Sequence, residues 1–222
     1  MSARALVFDL DDTLYPERRF VLSGFAAVAR AIEADAGVPA CETFRSLVRA
    51  LKGGHRASAF QRLCDRHGLD PRQIDGWVQV MRTHVPRLRL ARRTRRMLAD
   101  LRSGWRLGLI TNGLPEVQQK KVECLGLTPF FDHIAFPGLP GAGGKPAPEP
   151  FLLACRALGV TPGRAVFVGD DMIFDMLGAR GVGMRTIHLA PRPALRRGWS
   201  PDATVRDITD VPAAAEALVQ DA

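Results

Sequence analysis

The residues best placed to do chemistry are carboxylates that follow apolar runs. The first set lies almost at the N-terminus, in Val7-Phe8-Asp9-Leu10-Asp11-Asp12-Thr13-Leu14. An apolar run that ends in acids reads as a strand delivering Asp9 and Asp11 to its C-terminal end, where open parallel sheets bind ligands. The same residues also suit a polar turn after a buried strand, since turns favour Asp. A second set follows Val166-Phe167-Val168-Gly169, where Asp170 and Asp171 come first and Asp175 about one helical turn later. Oxygen-rich clusters of this kind suit Mg²⁺, which takes a few carboxylates and completes its shell with water and phosphate oxygens. Acids are also favoured in the first turn of a helix, so Asp171 reads equally well as structural.

Two further candidates lie between these sets. Gly108-Leu109-Ile110-Thr111-Asn112-Gly113 ends an apolar run in a hydroxyl, an amide and a glycine. It reads either as a cap and turn or as an anion cradle of hydroxyl and free N–H groups. Gly143-Gly144-Lys145-Pro146 puts a lysine after glycines, yet it is not a Walker A loop. The glycine that motif needs falls on Leu139, and Pro146 stands where a Ser or Thr would hold the metal. Lys145 is then either directed at the sheet edge or an ordinary surface lysine.

Short β-branched and apolar runs recur at Ala5–Leu10, Leu107–Thr111, His133–Phe136, Ala165–Gly169 and Arg185–Leu189, with helical patterns between them. This alternation predicts an α/β chain with a parallel sheet and helices on both faces. The stretch from Leu14 to Leu107 breaks the rhythm. It reads as helices over about 17–36, 41–51, 57–67 and 71–84, with Phe20, Gly24, Ala27, Val28 and Ala31 near one face of the first. Gly37 and Gly68 stand at helix ends, and Pro71 suits a first turn. A further helix over Thr94–Arg102 feeds the second strand. The expected organisation is a core of residues 1–16 and 90–222, with a small all-helical domain, 17–89, inserted after the first strand.

At 222 residues the chain has length for a core plus a smaller insert, and 46% hydrophobic with 24% charged residues is ordinary globular composition. No apolar stretch reaches the roughly 18 residues of a membrane span, and no signal peptide precedes the acidic cluster, so a cytoplasmic protein is expected. Four scattered cysteines without a C-x-x-C pair argue for reduced thiols rather than zinc or disulfides. The net charge of +8 suits phosphorylated ligands, although it also fits a compositional habit of an Ala-, Gly- and Pro-rich chain. The arginines of 87–106 lack interleaved aromatics for stacking on bases, so no nucleic-acid partner is expected, and neither a membrane nor an obligate protein partner is indicated.

In order and spacing, the runs ending at Asp9/Asp11, Thr111, Lys145 and Asp170/Asp175 resemble the four motifs of the haloacid dehalogenase-like hydrolases. The fourth is extended by Gly178-Ala179 and Val182-Gly183-Met184. The helical insert resembles that family's cap. The resemblance implies a Rossmann-like core and Mg²⁺-dependent hydrolysis of a small phosphorylated metabolite, a nucleotide or a sugar phosphate, through an aspartyl-phosphate. It gives Asp9 as nucleophile and Asp11 as acid and then base. Thr111 would hold phosphoryl oxygens, with Asn112 and Gly113 beside it, and Lys145 would offset charge. The metal would bind the Asp9 carboxylate, the Asp11 carbonyl and Asp170, with Asp175 and Asp171 behind them.

Departures within the family narrow the reaction. Its dehalogenases lack the second aspartate of the first motif, so Asp11 argues for phosphate chemistry. Its β-phosphoglucomutase-like members carry a cap histidine where this chain has apolar residues near Val21, which disfavours a phosphomutase; a phosphomutase or other phosphoryl transferase on the same core is the alternative reading. A non-catalytic binding descendant has no physical need for the full set Asp9, Asp11, Thr111, Lys145 and Asp170. Lys52, Gly53, Gly54, His55 and Arg56 resemble a substrate-recognition loop of such caps, and they also read as a plain interhelix turn. The Lys145–Pro146 bond is a candidate for cis, as in some relatives.

Overall fold

The computed structural model describes residues 4–190 and 199–220. The chain divides into two compact units, residues 1–16 with 89–222, and residues 17–88.

The first unit is built on six parallel strands: β1 (Ala5–Phe8), β2 (Arg106–Ile110), β3 (His133–Ala135), β4 (Ala165–Gly169), β5 (Arg185–Leu189) and β6 (Ala203–Val205). They lie in the order β3-β2-β1-β4-β5-β6. β1 and β4 are buried along their whole length, which is why they read as continuous apolar runs rather than alternating ones. Ala5 and Val7 of β1 share a core with Phe167 of β4 and with Phe151, Ala154 and Cys155 of the helix α7 described below. The strand order reverses between β1 and β4, and a crevice at the C-terminal ends of such strands is the usual ligand site of an open α/β sheet. The acids that follow β1 and β4 stand on either side of that switch point.

Helices connect these strands and make up the second unit. In the second unit they are α1 (Arg18–Ala36), α2 (Ala40–Lys52), α3 (Ala59–His67) and α4 (Ile74–Thr83). In the first they are α5 (Arg92–Leu101), α6 (Pro115–Leu125), α7 (Pro148–Ala157), α8 (Gly178–Gly181) and α9 (Val211–Gln220). No strand lies among the described residues of the second unit. Its core gathers Val21, Phe25, Val28 and Ile32 of α1 with Leu47, Leu63 and Trp77. The i, i+4, i+7, i+11 spacing of the four α1 residues is one helical stripe. Gly24 lies on it because a Cβ there would come within 2.8 Å of Met81 Cγ on α4.

The structure corrects the sequence reading in three places. β1 ends at Phe8, two residues early, because the chain turns into a loop where Asp12 takes a φ of 56°. The buried stripe of α1 is rotated from the expected one: Phe20, Gly24 and Val28 are buried as expected, but Phe25 and Ile32 complete the stripe where Ala27 and Ala31 were placed. A sixth strand, β6, was not anticipated. It has three residues and only Val205 is buried, so it carries too little pattern to be read. All four cysteines are free thiols.

Candidate functional site

Asp9, Thr111 and Asp170 sit just beyond the ends of β1, β2 and β4. Asp9 follows β1, donating its N–H to Val168 O at 2.9 Å, which continues the β1–β4 ladder by one rung. Its side chain is buried and meets Lys145 Nζ at 2.6 Å through Oδ1. The same ammonium reaches Asp175 Oδ1 at 2.6 Å. Lys145 is 2% exposed, so it is a buried bridge between two acids and not a surface lysine. Burying an ammonium is tolerable only when it is paired in this way.

The loop that carries Lys145 is held by Asn112. The Asn112 amide donates from Nδ2 to Lys145 O at 2.8 Å and accepts from Lys145 N–H at 2.8 Å. The peptide bond from Lys145 to Pro146 is cis. On the other side, Asp175 is fixed by Asp171, whose N–H donates to Asp175 Oδ2 at 3.1 Å. The Asp171 side chain itself accepts from Ile173 and Phe174 N–H at 2.7 Å each, capping the π-helical turn Met172–Leu177 that presents Asp175. A Cβ on Gly169 would run into the Asp175 carboxylate, so the end of β4 has to be bare.

Asp11 lies apart from this trio. Its Oδ1 accepts from Tyr15 OH at 2.6 Å and Lys121 Nζ at 2.9 Å, and its Oδ2 from Lys121 Nζ at 2.7 Å and Gln118 Nε2 at 2.9 Å. Gln118 Nε2 also reaches Thr111 Oγ1 at 2.5 Å. Sequence reading passed over Lys121 and Gln118. They lie on α6, which buries both beside Val117 and Val122, and polar residues in a helical pattern read as its solvent face. Their i, i+3 spacing puts both on one face of α6.

The expected anion cradle needs correction. Thr111 N–H donates to Ala135 O at 3.2 Å and Gly113 N–H to Gly138 O at 3.0 Å, so those two donors serve β3 and the loop after it. The Asn112 amide is committed to Lys145 rather than held out for a substrate. The Thr111 hydroxyl is buried beside Asp11's partner Gln118. Lys52, His55 and Arg56 lie in an exposed turn of the helical unit, with Lys52 ending α2 and Arg56 opening a short 3₁₀ turn. Arg56 spends both terminal nitrogens on Glu17, at 2.7 and 2.8 Å.

The donor set fits a divalent cation. Carboxylate oxygens of Asp9, Asp170 and Asp175 lie within 4.8 Å of one another. One lysine offsets only one of these three charges, and burial makes the surplus costly. Burial pushes Asp9 up to about 8 against the pull of Lys145, with Asp175 and Asp11 adding to the rise. Burial also lifts Asp170 to about 7, helped by Asp175 and Asp12. For Lys145, burial works downward, but Asp9 and Asp175 outweigh it and hold the ammonium above its ordinary value. A hard dication among these oxygens would relieve the repulsion that raises both acids. His188 Nε2 lies 2.9 Å from Asp170 O and steadies that residue's backbone.

The chain has relatives among known proteins. A family profile described as haloacid dehalogenase-like hydrolase matches residues 3–183. The chain is 32% identical over 218 residues to a glyceraldehyde 3-phosphate phosphatase of Methanopyrus kandleri, covering 94% of this chain and 91% of that protein. It is 30% identical over 223 residues to an N-acetylmuramic acid 6-phosphate phosphatase of Pseudomonas putida, covering 92% of each. Among solved structures, a 2-haloacid dehalogenase from Pseudomonas syringae pv. tomato superposes with a TM-score of 0.67 at 26% identity, covering 97% of this chain and 99% of that one. With nearly its whole length matched by phosphatases and its strand-end acids in place, the chain belongs to the haloacid dehalogenase-like hydrolases, as a phosphoric monoester hydrolase.

Proposed function

We propose that this enzyme hydrolyses a small sugar phosphate through an aspartyl-phosphate on Asp9, with Mg²⁺ bound by Asp9, the Asp11 main-chain carbonyl and Asp170. The observation that carries the reading is the buried bridge of Lys145 between Asp9 and Asp175 beside Asp170. Lys145 engages Asp9 Oδ1, and Oδ2 is then the oxygen that attacks phosphorus. As the Oδ2–P bond forms, the bond from phosphorus to the leaving oxygen breaks, and Asp11 supplies that oxygen with a proton. In the second half a water oxygen bonds to phosphorus, the aspartyl bond breaks, and the water proton passes to Asp11. A positioned acid and base of this kind contributes roughly 10²–10⁴-fold.

Bound Mg²⁺ would supply charge neutralisation between an anionic nucleophile and an anionic phosphate. Thr111 would hold a phosphoryl oxygen through its hydroxyl. Lys145 would keep Asp9 oriented and offset its charge, and Asn112, Asp171 and Asp175 would keep Lys145 in place. Sugar phosphates are favoured over nucleotides because the relatives reported above are named for a triose phosphate and an amino-sugar phosphate. A mutase reading has no support at Val21, which is buried in the helical core.

A phosphate-release screen of the purified protein over sugar phosphates and nucleotides, with and without Mg²⁺, tests the proposal. Release from a sugar phosphate that stops in excess chelator is expected. Equal turnover with chelator present would end the metal-assisted reading, and preference for nucleotides would end the substrate assignment.

A further inference from the structure

Lys121 has no part in the mechanism above, yet it is one of the most deeply buried charges in the described chain, 3% exposed. It lies on α6 one turn after Gln118, which is 2% exposed. A helix buried against a sheet normally turns apolar residues inward, and an apolar residue at position 121 would pack α6 without the cost of desolvating an ammonium. Both polar heads converge on Asp11. Together with Tyr15 they make four hydrogen bonds to its two oxygens, at 2.6, 2.7, 2.9 and 2.9 Å. Four hydrogen bonds from three side chains hold the plane and rotamer of this carboxyl group. The Gln118 amide also touches Thr111 Oγ1, so one side chain spans the acid/base and the phosphoryl-binding hydroxyl.

We propose that Lys121, acting with Gln118, is a positioning residue of the reaction: it sets the Asp11 carboxyl in register with the phosphoryl group held at Thr111. The inference rests on the acid/base role given to Asp11 above. The protein acts here by pre-organisation, since a proton donor misplaced by an ångström loses much of its effect. Lys121 acts on the reaction through its contacts to Asp11.

The test compares kcat and KM on an alkyl phosphate, whose leaving oxygen needs a proton, and on an aryl phosphate, whose leaving group needs little help. The proteins are the full-length chain, Lys121→Met, Gln118→Met, Asp11→Asn and the double variant Lys121→Met with Asp11→Asn. Lys121→Met should lower kcat on the alkyl ester by about 100-fold, within the range of a positioned acid, with KM little changed and the aryl ester far less affected. The double variant should be no slower than Asp11→Asn alone, because both changes remove one function. Gln118→Met leaves no unpaired charge behind, so it keeps the test open if Lys121→Met folds poorly. It should show the same preference at smaller size. Equal losses on both esters, or losses that add to that of Asp11→Asn, mean a merely structural lysine and overturn the inference. If Asp11→Asn itself slows both esters equally, the acid/base assignment falls first, and that outcome is read separately.

Discussion

Asp9 shows most plainly how one residue can be arranged for reaction at the expense of stability. It is buried, it keeps one lysine contact, and it shares that lysine with Asp175. Asp9→Asn should abolish phosphate release, because an amide oxygen does not form the acyl phosphate. The folded protein should keep its thermal stability, because Asn fills the same space and Asp175 still pairs the Lys145 ammonium. Turnover by the folded variant would falsify the nucleophile. The raised acids also fix a sign. In the metal-free protein Asp9 rises to about 8 and Asp170 to about 7, both above the ordinary carboxylate range. The folded state therefore holds protons that the unfolded chain has released, and stability should fall as pH rises from about 4 toward 8. A divalent cation must displace those protons, so its affinity should strengthen over the upper part of that window. Thermal melts with and without Mg²⁺ across pH check both slopes, and a flat metal-free profile would contradict the burial argument. These acids were legible because each follows a buried apolar run. Lys121 and Gln118 were not, since only the docking of α6 tells a buried polar residue from an exposed one.

At the scale of elements, strand ends and glycines matter more than the strands. β1 and β4 were readable as short buried runs, whereas β6 was too short and too exposed to leave a pattern. The face of α1 was read with the right period but the wrong phase, because alanines suit either the edge or the centre of a buried stripe. Gly169 is the element-scale feature most exposed to test. It closes β4, and any Cβ there occupies the space of the Asp175 carboxylate. Gly169→Ala should displace Asp175, loosen Lys145, and destabilise the protein by about 1–3 kcal/mol, the usual cost of overpacking. Activity should fall with it, although residue 169 reaches no substrate. Denaturant melts and phosphate-release rates read the two effects. A stable, fully active Gly169→Ala would show that Asp175 is not needed where it stands.

For the molecule as a whole, the fold class was legible from the alternation of strands and helices, and phosphatase chemistry from the family resemblance of four motifs taken together. The substrate was not, because the described polar groups of the site are spent on the phosphoryl chemistry and on one another. Lys145 is shared by two acids, Asn112 clamps Lys145, and Lys121 with Gln118 brackets Asp11. None is left over to recognise the organic part of a phosphoester, so discrimination falls to residues outside this set. The exposed turn of Lys52, His55 and Arg56 offers cationic and hydrogen-bonding heads that suit a hydroxylated or acidic leaving group. Arg56 is already paired with Glu17 in a contact half open to water, with 51% of the Arg56 side chain exposed, and such pairs add only about 0–1 kcal/mol to stability. Arg56→Ala and His55→Ala should therefore leave the fold almost unchanged. If the turn reads the leaving group, each should lower kcat/KM for the preferred sugar phosphate by about 1–3 kcal/mol, the scale of a lost charged hydrogen bond, and spare a generic aryl phosphate. Kinetics on the two substrates decide between the readings. Parallel losses, or no loss on either, would make the turn a plain connection between helices.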